Sequence, residues 1–395
     1  MLTNGVLFSD SALVFFTMIA LTAFAIWAEK KWKWAGLLSA LGICVFGALI
    51  LVSLKILPTT SPAYDAIFNY FVLLPIPMIL INANLKRIVR DSGRSFILMN
   101  VACVGACLGG IAVGFIFRNN EFVGPDIAGY VAMEVGVCTG GMANQAAMAQ
   151  TFDVSANVVS SAGVGGCLVA VLFLVGVAMI PNLKFFRQHF NHPHVDEAEA
   201  GVAVAAEDST VKEPFSIFDL GKTFAFAFGI LGISNVISNL VYSLSLPSVV
   251  TNIFGNSYLL TVIFTVLVST LFPKFASSIK YGQEIGMFML LTYMAAVGTG
   301  ATIMDVLAAA PVVIFAEIVI ILIIMVLVFL VGKIFKMDLE EMLIAINASY
   351  GGPNTAAALV GTKGWTKLAV PAVLIGVYGI VVGNVLGILI GNLFL

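Results

Sequence analysis

The chain has 395 residues, of which 60% are hydrophobic and only 10% are charged, and its formal net charge is −2. A soluble domain carries roughly 25% charged residues, so most of this surface must face lipid rather than water. The nearly neutral charge gives no support for a nucleic-acid partner or an acidic partner. The composition therefore predicts an integral membrane protein.

Apolar segments long enough to cross a bilayer occur ten times along the chain, since a spanning helix needs about 20 apolar residues. They are 11–28, 35–57, 66–85, 95–117 and 155–180 in the first half, and 220–244, 257–273, 283–304, 309–335 and 366–394 in the second. No basic residue precedes the first segment and no small-residue cleavage site follows it. We therefore expect a membrane helix there rather than a signal peptide.

Two further segments, 126–152 and 338–362, carry a similar pattern just before the last long helix of each half. The pattern is a glycine pair followed by amide or hydroxyl side chains: Thr139, Gly140, Gly141, Asn144 and Gln145 in the first copy, and Gly351, Gly352, Asn354 and Thr355 in the second. Each segment is long enough for one crossing or for two short arms that turn back, so length alone leaves both topologies open.

The distribution of basic residues favours re-entrant hairpins. If both segments turn back and the amino terminus lies outside, 17 of the 19 Lys and Arg residues lie inside, and only Lys55 and Arg118 lie outside. If both segments cross, the split is nine against ten. Because cytoplasmic loops carry an excess of Lys and Arg, the sequence predicts two hairpins, with both termini outside.

This topology predicts an all-α protein built from two inverted repeats, each with five transmembrane helices and one hairpin. The first repeat covers 1–180 and the second covers 220–395. Between them, 181–219 holds the three His residues and a cluster of acids, and it is predicted to be a cytoplasmic hydrophilic linker. The scaffold would comprise 11–57 and 220–273, and the remaining spans and the hairpins would form the core.

The glycine breaks predict a binding site at mid-membrane. Glycine adopts backbone angles that other residues avoid and lets a ligand approach closely. Free N–H groups at a helix start favour an anion, and free carbonyl groups at a helix end favour a cation. We predict that the nine pattern residues named above bind substrate. The alternative is that the glycines only allow two helices to pack closely.

Several polar side chains within apolar surroundings are candidates for ion coupling. Acids at mid-bilayer usually serve a transport pathway or a proton relay, which suggests Glu134 and Glu317, although either acid could simply bind a neighbouring helix. Four more residues lie near the ends of spans 66–85 and 283–304, and they are either cation ligands or helix caps: Asn82, Asn84, Thr299 and Thr302.

The chain resembles a known group of membrane proteins. The stretch Ile79-Leu80-Ile81-Asn82-Ala83-Asn84-Leu85 and the two glycine hairpins are similar to the bacterial sodium/glutamate symporter family. The whole chain more closely resembles the family of unknown function 819, in the same superfamily of cation:proton antiporters and anion transporters. The resemblance implies inverted repeats, a scaffold, a mobile core that carries the hairpins and, often, sodium coupling.

The expected function is secondary active transport by alternating access. We predict Na⁺- or H⁺-coupled symport of a small, anionic organic solute, with cation/proton antiport through an intramembrane Glu as the alternative. A sensor or a membrane enzyme is the third possibility, but no nucleophile–base constellation or metal-ligand cluster appears in the apolar segments. The expected partners are the solute, the coupling ion and the bilayer, with no cofactor other than Na⁺, and a homodimer is plausible.

Overall fold

A computed structural model describes residues 6–199, 216–244, 255–300 and 302–395 of the chain. Within these ranges the regular secondary structure is helical, and an isolated β-bridge joins Asn191 to Asp338. The α-helices in chain order are α1 (Ser11–Lys31), α2 (Lys33–Ser53), α3 (Pro62–Tyr70), α4 (Pro75–Leu80), α5 (Leu85–Asp91), α6 (Gly93–Phe117), α7 (Ile127–Gly140), α8 (Met142–Thr151), α9 (Ala156–Met179), α10 (Lys184–His189), α11 (Pro193–Glu199), α12 (Ile217–Ser243), α13 (Ser257–Leu271), α14 (Pro273–Ser278), α15 (Gly282–Val297), α16 (Ile303–Ile334), α17 (Leu339–Lys363) and α18 (Ala369–Gly391).

Seven helical segments of the described ranges are long and apolar enough to cross a membrane. They correspond to predicted spans 11–28, 66–85, 95–117, 155–180, 220–244, 309–335 and 366–394. The other three predicted spans coincide with shorter helices. The backbone of Ser39 interrupts α2 with a φ of 63°, Pro273 starts a new helix directly after α13, and α15 stops at Val297.

Segment 126–152 forms a hairpin, as the distribution of basic residues predicts. At the open end of the hairpin, opposite the turn, the Asp126 carboxylate accepts a hydrogen bond of 2.6 Å from the Ser155 hydroxyl. Halfway along, Gly136 of α7 faces Asn144 of α8. The chain turns at Gly141, where φ is 88° and ψ is −171°, so α7 and α8 lie antiparallel.

Segment 338–362 also turns back, at Gly352, where φ is 76° and ψ is −170°. The Leu339 N–H donates to the Asn191 carbonyl at 2.8 Å, and Lys367 pairs with Glu197 at 2.6 Å. Both ends of α17 therefore lie beside α11, which is only about 10 Å long, whereas a straight 25-residue helix would separate its ends by about 37 Å.

The two hairpins meet at their tips. A Cβ atom on Gly352 would lie 3.5 Å from the carbonyl oxygen of Gly140, and a Cβ on Gly141 would lie 3.8 Å from the peptide that joins Gly351 and Gly352. The irregular backbone of each break is thus packed against the irregular backbone of the other, which is where the sequence predicts the binding site.

The helices pack in two groups, which we call the hairpin group and the flanking group. The hairpin group contains α6–α9 and α16–α18, and the flanking group contains α1–α4, α12, α13 and α15. We expected spans 66–85 and 283–304 in the core, and this is wrong: α4 and α15 pack mainly against each other and their flanking neighbours. Close backbone approach explains the difference, because Gly286 lies against Pro75 and Met78, and Gly298 lies against Val45.

Part of the predicted linker 181–219 is packed rather than solvated. The rings of Phe186 and Phe190 contact Phe329 of α16, with centroid distances of 5.1 and 5.6 Å. The Val195 N–H donates to the Glu340 carboxylate at 2.7 Å. These contacts place α10 and α11 as a cap over the open end of the second hairpin. Residues 200–215 of this predicted linker lie outside the described residues.

Two charged pairs lie at the exposed rim of this cap: Lys367 with Glu197 joins it to the end of the second hairpin, and Arg187 with Glu199 joins α10 to α11. The hydrogen bond from Lys367 keeps the pKa of Glu197 below its usual range, and the hydrogen bond from Arg187 does the same for Glu199. Both pairs are exposed to solvent, so salt screens them and they contribute little stability individually. The apolar contacts of Phe186 and Phe190 therefore carry most of the attachment.

The helix ends recur along the two halves at a nearly constant spacing. The end of α4 at Leu80 and the end of α15 at Val297 are 217 residues apart, and the ends of α6 at Phe117 and α16 at Ile334 have the same spacing. The two break glycines, at 141 and 352, are 211 residues apart. The order of elements is therefore repeated, while the inversion of the repeats stays a prediction.

The hairpin topology predicts which residues share a side of the membrane. We expect Asp126→Cys and Ser155→Cys to react with an impermeant maleimide from one side, and Lys336→Cys and Lys363→Cys to react only from the other. Background should be low because four native cysteines are buried and Cys107 is half-buried. Labelling of the two members of a pair from opposite sides would contradict the hairpin topology.

Candidate functional site

The second glycine of each pair has a backbone conformation that essentially only glycine tolerates. Gly141 and Gly352 combine φ values of 88° and 76° with ψ values near −170°, a region that costs other residues about 1–3 kcal/mol. The break also starts a new short helix in each hairpin, at Met142 and at Pro353. Because proline lacks an N–H, it suits the first position of such a helix.

Asn144 fastens the first hairpin to α18 and is fully buried. Its Oδ1 atom accepts a hydrogen bond of 2.8 Å from Asn384, and its Nδ2 atom donates to the Gly379 carbonyl at 3.4 Å. The predicted ligand side chain thus points at α18 rather than at the second hairpin. Sequence reasoning missed Asn384, although a single amide in the very apolar last helix was a visible signal.

Thr139 and Gln145 lie on either side of the first break and are also buried. The Thr139 hydroxyl donates within its own helix to the Val135 carbonyl at 2.8 Å, so it is already satisfied. The Nε2 atom of Gln145 is buried without a hydrogen-bond partner among the described residues. A buried amide without a partner is costly, and Gln145 is therefore the best ligand candidate of the first hairpin.

The second hairpin presents its polar groups more openly. Asn354 is exposed, and Thr355 and Gly351 are half-buried. The Thr355 hydroxyl donates to the Gly352 carbonyl at 3.1 Å, which satisfies one of the groups freed by the break. Asn354 therefore offers a free amide at the start of the second arm, next to the first turn of helical N–H groups.

The two acids lie deep inside the hairpin group, and both are fully buried. Glu134 is on α7 of the first hairpin and Glu317 is on α16. Tyr350, the residue just before the second glycine pair, hydrogen-bonds to Glu317 at 2.5 Å. The helices that carry them, α7 and α16, contact each other and both pack against α6. The structure thus places in one helix group two acids that are 183 positions apart, at 134 and 317.

The four other predicted ion ligands do not form one cluster. Asn84 accepts from the Arg87 N–H as the cap of α5, and its amide reaches the Ser269 carbonyl at 3.4 Å. Asn82 is exposed beside it. Thr299 is buried and donates to the Ala296 carbonyl at 2.7 Å, and Thr302 is half-buried. For Asn84 the structure favours the helix-cap alternative.

A cavity of about 540 Å³ lies between the two helix groups, at the open end of the first hairpin. The flanking group contributes lining residues from segments 59–68 and 293–300, and the hairpin group contributes lining residues from segment 149–160. Its charged lining residues are Asp65 and Asp153, both exposed, and its described lining contains no basic side chain. Of the predicted ion ligands, Thr299 lines this cavity.

These features define a multi-pass, all-α membrane protein with two broken hairpins in contact at their tips. The chain belongs to the DUF819 family, a protein family of unknown function, whose model matches residues 16–395. It is 31% identical over 395 residues to the uncharacterised membrane protein YjcL of Bacillus subtilis (strain 168), with 99% of each chain covered. The similarity to sodium/glutamate symporters stays a prediction.

The break glycines generate a stability prediction. We expect Gly352→Ala to lower the free energy of unfolding by about 1–3 kcal/mol, because a Cβ is incompatible with its backbone angles. Gly361→Ala is the matched control in the same hairpin, since Gly361 is helical with open space around it, and it should be neutral or stabilising by up to about 1 kcal/mol. Unfolding in mixed micelles measures both, and equal losses would refute the assignment of strain.

The contact between Asn144 and Asn384 predicts measurable coupling between their substitutions. Alanine at either position should destabilise the protein, and a double-mutant cycle should give a coupling free energy of about 0.6 kcal/mol, typical of hydrogen bonds between membrane helices. Asn392→Ala combined with Asn144→Ala is the control, because Asn392 donates within its own helix. Fully additive effects of Asn144→Ala and Asn384→Ala would show that the hydrogen bond does not form.

Proposed function

We propose that this protein is a secondary active transporter that moves a small organic solute by alternating access, with the solute bound at the hairpin tips. The observation that carries the proposal is the contact of two glycine breaks with the same backbone geometry. In a bilayer, irregular backbone survives only where protein packs on it or where it lines a cavity. Paired breaks at corresponding positions of two repeats are typical of transporter binding sites.

The chemistry of the tips supports an anionic solute. Two short helices start at the breaks, with their positive dipole ends and free N–H groups near the contact. Gln145 contributes a buried amide without a partner, and Asn354 contributes an exposed one. A carboxylate between the tips would supply acceptors for these donors. Coupling to Na⁺ or H⁺ would then compensate for the negative charge that the solute brings into the membrane.

The division into two helix groups supports alternating access. The cavity lies between the groups and reaches the open end of the first hairpin, on the side that the distribution of basic residues predicts to be outside. The open end of the second hairpin is covered by α10 and α11 on the predicted inside. Movement of the hairpin group against the flanking group would expose the tips to the two sides in turn.

A second candidate is cation/proton antiport, and the acids favour it. Glu134 and Glu317 are buried without a basic partner among the described residues, and Asp65 and Asp153 line the cavity. An acidic route into the membrane suits a cation better than an anion.

Under both candidates, we propose that the protein resides in the cell membrane with both termini outside. We also propose that it acts as a transporter rather than an enzyme and that it forms a homodimer.

Uptake into proteoliposomes tests the leading proposal. Purified full-length protein should concentrate one member of a panel of carboxylates and amino acids when a Na⁺ or H⁺ gradient is imposed. Gln145→Ala and Asn354→Ala should each reduce uptake at low solute concentration about tenfold or more, since each removes a hydrogen bond to a charged group. Asn392→Ala is the matched amide control and should keep normal uptake.

The same vesicles separate the two candidates. Proton flux driven by a monovalent cation, in the absence of any organic solute and lost in Glu134→Gln, would replace the symport proposal with cation/proton antiport. Solute uptake that does not respond to either gradient would contradict ion coupling. Wild-type vesicles that show neither solute uptake nor cation-driven proton flux would contradict both transport functions.

A further inference from the structure

Glu134 and Glu317 are buried in a region where no positive charge compensates them. Both residues have no exposed surface, and no basic side chain of the described residues forms an ion pair with either carboxyl. Both oxygens of Glu134 and the Oε1 atom of Glu317 also have no partner at hydrogen-bond geometry in the described part of the chain, although the Tyr130 phenol lies near Glu134 and could approach it. Structural acids are normally paired or fully hydrogen-bonded, which these acids are not.

The surroundings of the pair are acidic or neutral on every helix that contributes a titratable group. α7 provides the phenol of Tyr130 and the thiol of Cys138, α9 provides the thiol of Cys167, and α17 provides the phenol of Tyr350. Each of these groups becomes negative, not positive, when it ionises. None of them can therefore neutralise a second carboxylate charge.

The hydrogen bonds of Tyr350 place a proton beside Glu317. The Tyr350 hydroxyl oxygen lies 2.5 Å from Oε2 of Glu317 and 3.2 Å from the carbonyl oxygen of Gly166. A carboxylate and a carbonyl both only accept, and a phenol has one hydrogen to donate. With an ionised Glu317, Tyr350 donates to the carboxylate and can only share the same hydrogen with Gly166. With a protonated Glu317 that donates to Tyr350, the phenol hydrogen is free for Gly166, and both contacts become full hydrogen bonds.

Gly166 keeps the Glu317 carboxyl close to the backbone of α9. A Cβ at this position would lie 2.6 Å from the Oε1 atom of Glu317, so any side chain would displace the acid from Tyr350. The sequence of α9 therefore leaves room for the carboxyl at this level of the membrane.

Two ionised carboxylates in such a place would each lack solvation and would repel one another. Close carboxyl pairs avoid this state by holding a proton, and they titrate as a unit rather than as separate residues. Among the described residues, no group of three His, Cys, Asp or Glu side chains could hold a metal ion, so the acids lack further charged ligands for a cation. The geometry favours a proton over a metal ion.

We propose that Glu134 and Glu317 form a shared proton-binding site, and that the ion coupled to transport is H⁺. The proton site is argued from the burial of both acids and from the lack of a basic partner among the described residues, whereas the role of the proton as the coupling ion rests on the transport function proposed above. With two carboxylates the pair has a charge of −2, and binding one proton from water to a carboxylate oxygen brings it to −1. Release returns that proton to water on the other side.

The position of Tyr350 links this site to the hairpin tips. Tyr350 immediately precedes Gly351 and Gly352, and Glu134 lies between one and two helical turns before the tip of the first hairpin. The pair is closed off from water, so proton exchange requires the packing between α7, α9 and α16 to open. A ligand that moves either tip would therefore also move a group that faces the acids.

Infrared spectroscopy of the purified full-length protein tests the site without any transported solute. We expect a protonated-carboxyl band that disappears as the pH is raised, and that is unchanged when Na⁺ replaces K⁺ at constant pH. Glu134→Gln and Glu317→Gln should each shift the pH at which the band titrates, because the remaining acid titrates without its partner, and the double substitution should remove this titration. Tyr350→Phe should retain a titrating carboxyl band, because it deletes the hydroxyl but neither acid, and Glu340→Gln, at the base of the second hairpin, should leave the titration of the pair intact.

Two results would overturn the proposal: a wild-type spectrum without a titrating band that Glu134 or Glu317 contributes, or a band that Na⁺ shifts at constant pH. The wild-type comparison of Na⁺ with K⁺ needs no substitution, so it decides between the two ions even if a Gln variant does not fold. If the titration is found but proteoliposomes transport nothing, the proton site stands and the transport proposal fails. Uptake that follows a Na⁺ gradient and ignores a pH gradient would refute the coupling role alone.

Discussion

The structure depends on one constraint: every backbone N–H and C=O group inside the bilayer needs a partner within the protein. A regular helix normally satisfies this constraint, and the breaks at Gly141 and Gly352 interrupt such a helix in each hairpin. They are tolerated because each break packs against the other, and because α18 covers the first hairpin. Since the breaks stabilise each other, neither hairpin tip has a complete environment without its counterpart in the other half of the chain.

The last helix is shaped to receive the first hairpin. Gly379 lies against the backbone of Thr139, Gly383 lies against the side chains of Thr139 and Asn144, and Gly387 lies against Ala132 and Met148. Small residues at spacing four give a flat helix face, which allows close packing in membranes. Asn384 is placed among these glycines, so close approach and hydrogen bonding to Asn144 occur on the same face. This face orients the hairpin whose first arm carries Glu134.

Much of the fold could be predicted because it rests on local signals. Helix length, glycine breaks and the distribution of basic residues indicated an all-α membrane protein and two hairpins that turn back. The direction of individual side chains could not be predicted, since it depends on which helices pack together: Asn144 faces α18 and Asn84 caps a helix. Likewise, the polar character of α10 and α11 suggested a free linker, but the rings of Phe186 and Phe190 pack on α16, and Val195 of α11 bonds to Glu340.

The cap formed by α10 and α11 makes the two ends of the molecule mechanically unequal. At the first hairpin the arms are tied by a hydrogen bond between Asp126 and Ser155, and the end faces the cavity. At the second, withdrawing the arms breaks the hydrogen bonds of Glu340 and Leu339 to the cap and the ion pair between Lys367 and Glu197. A cycle that opened both ends would therefore meet a higher barrier on the capped side. The cap formed by α10 and α11 would then open more slowly than the first hairpin.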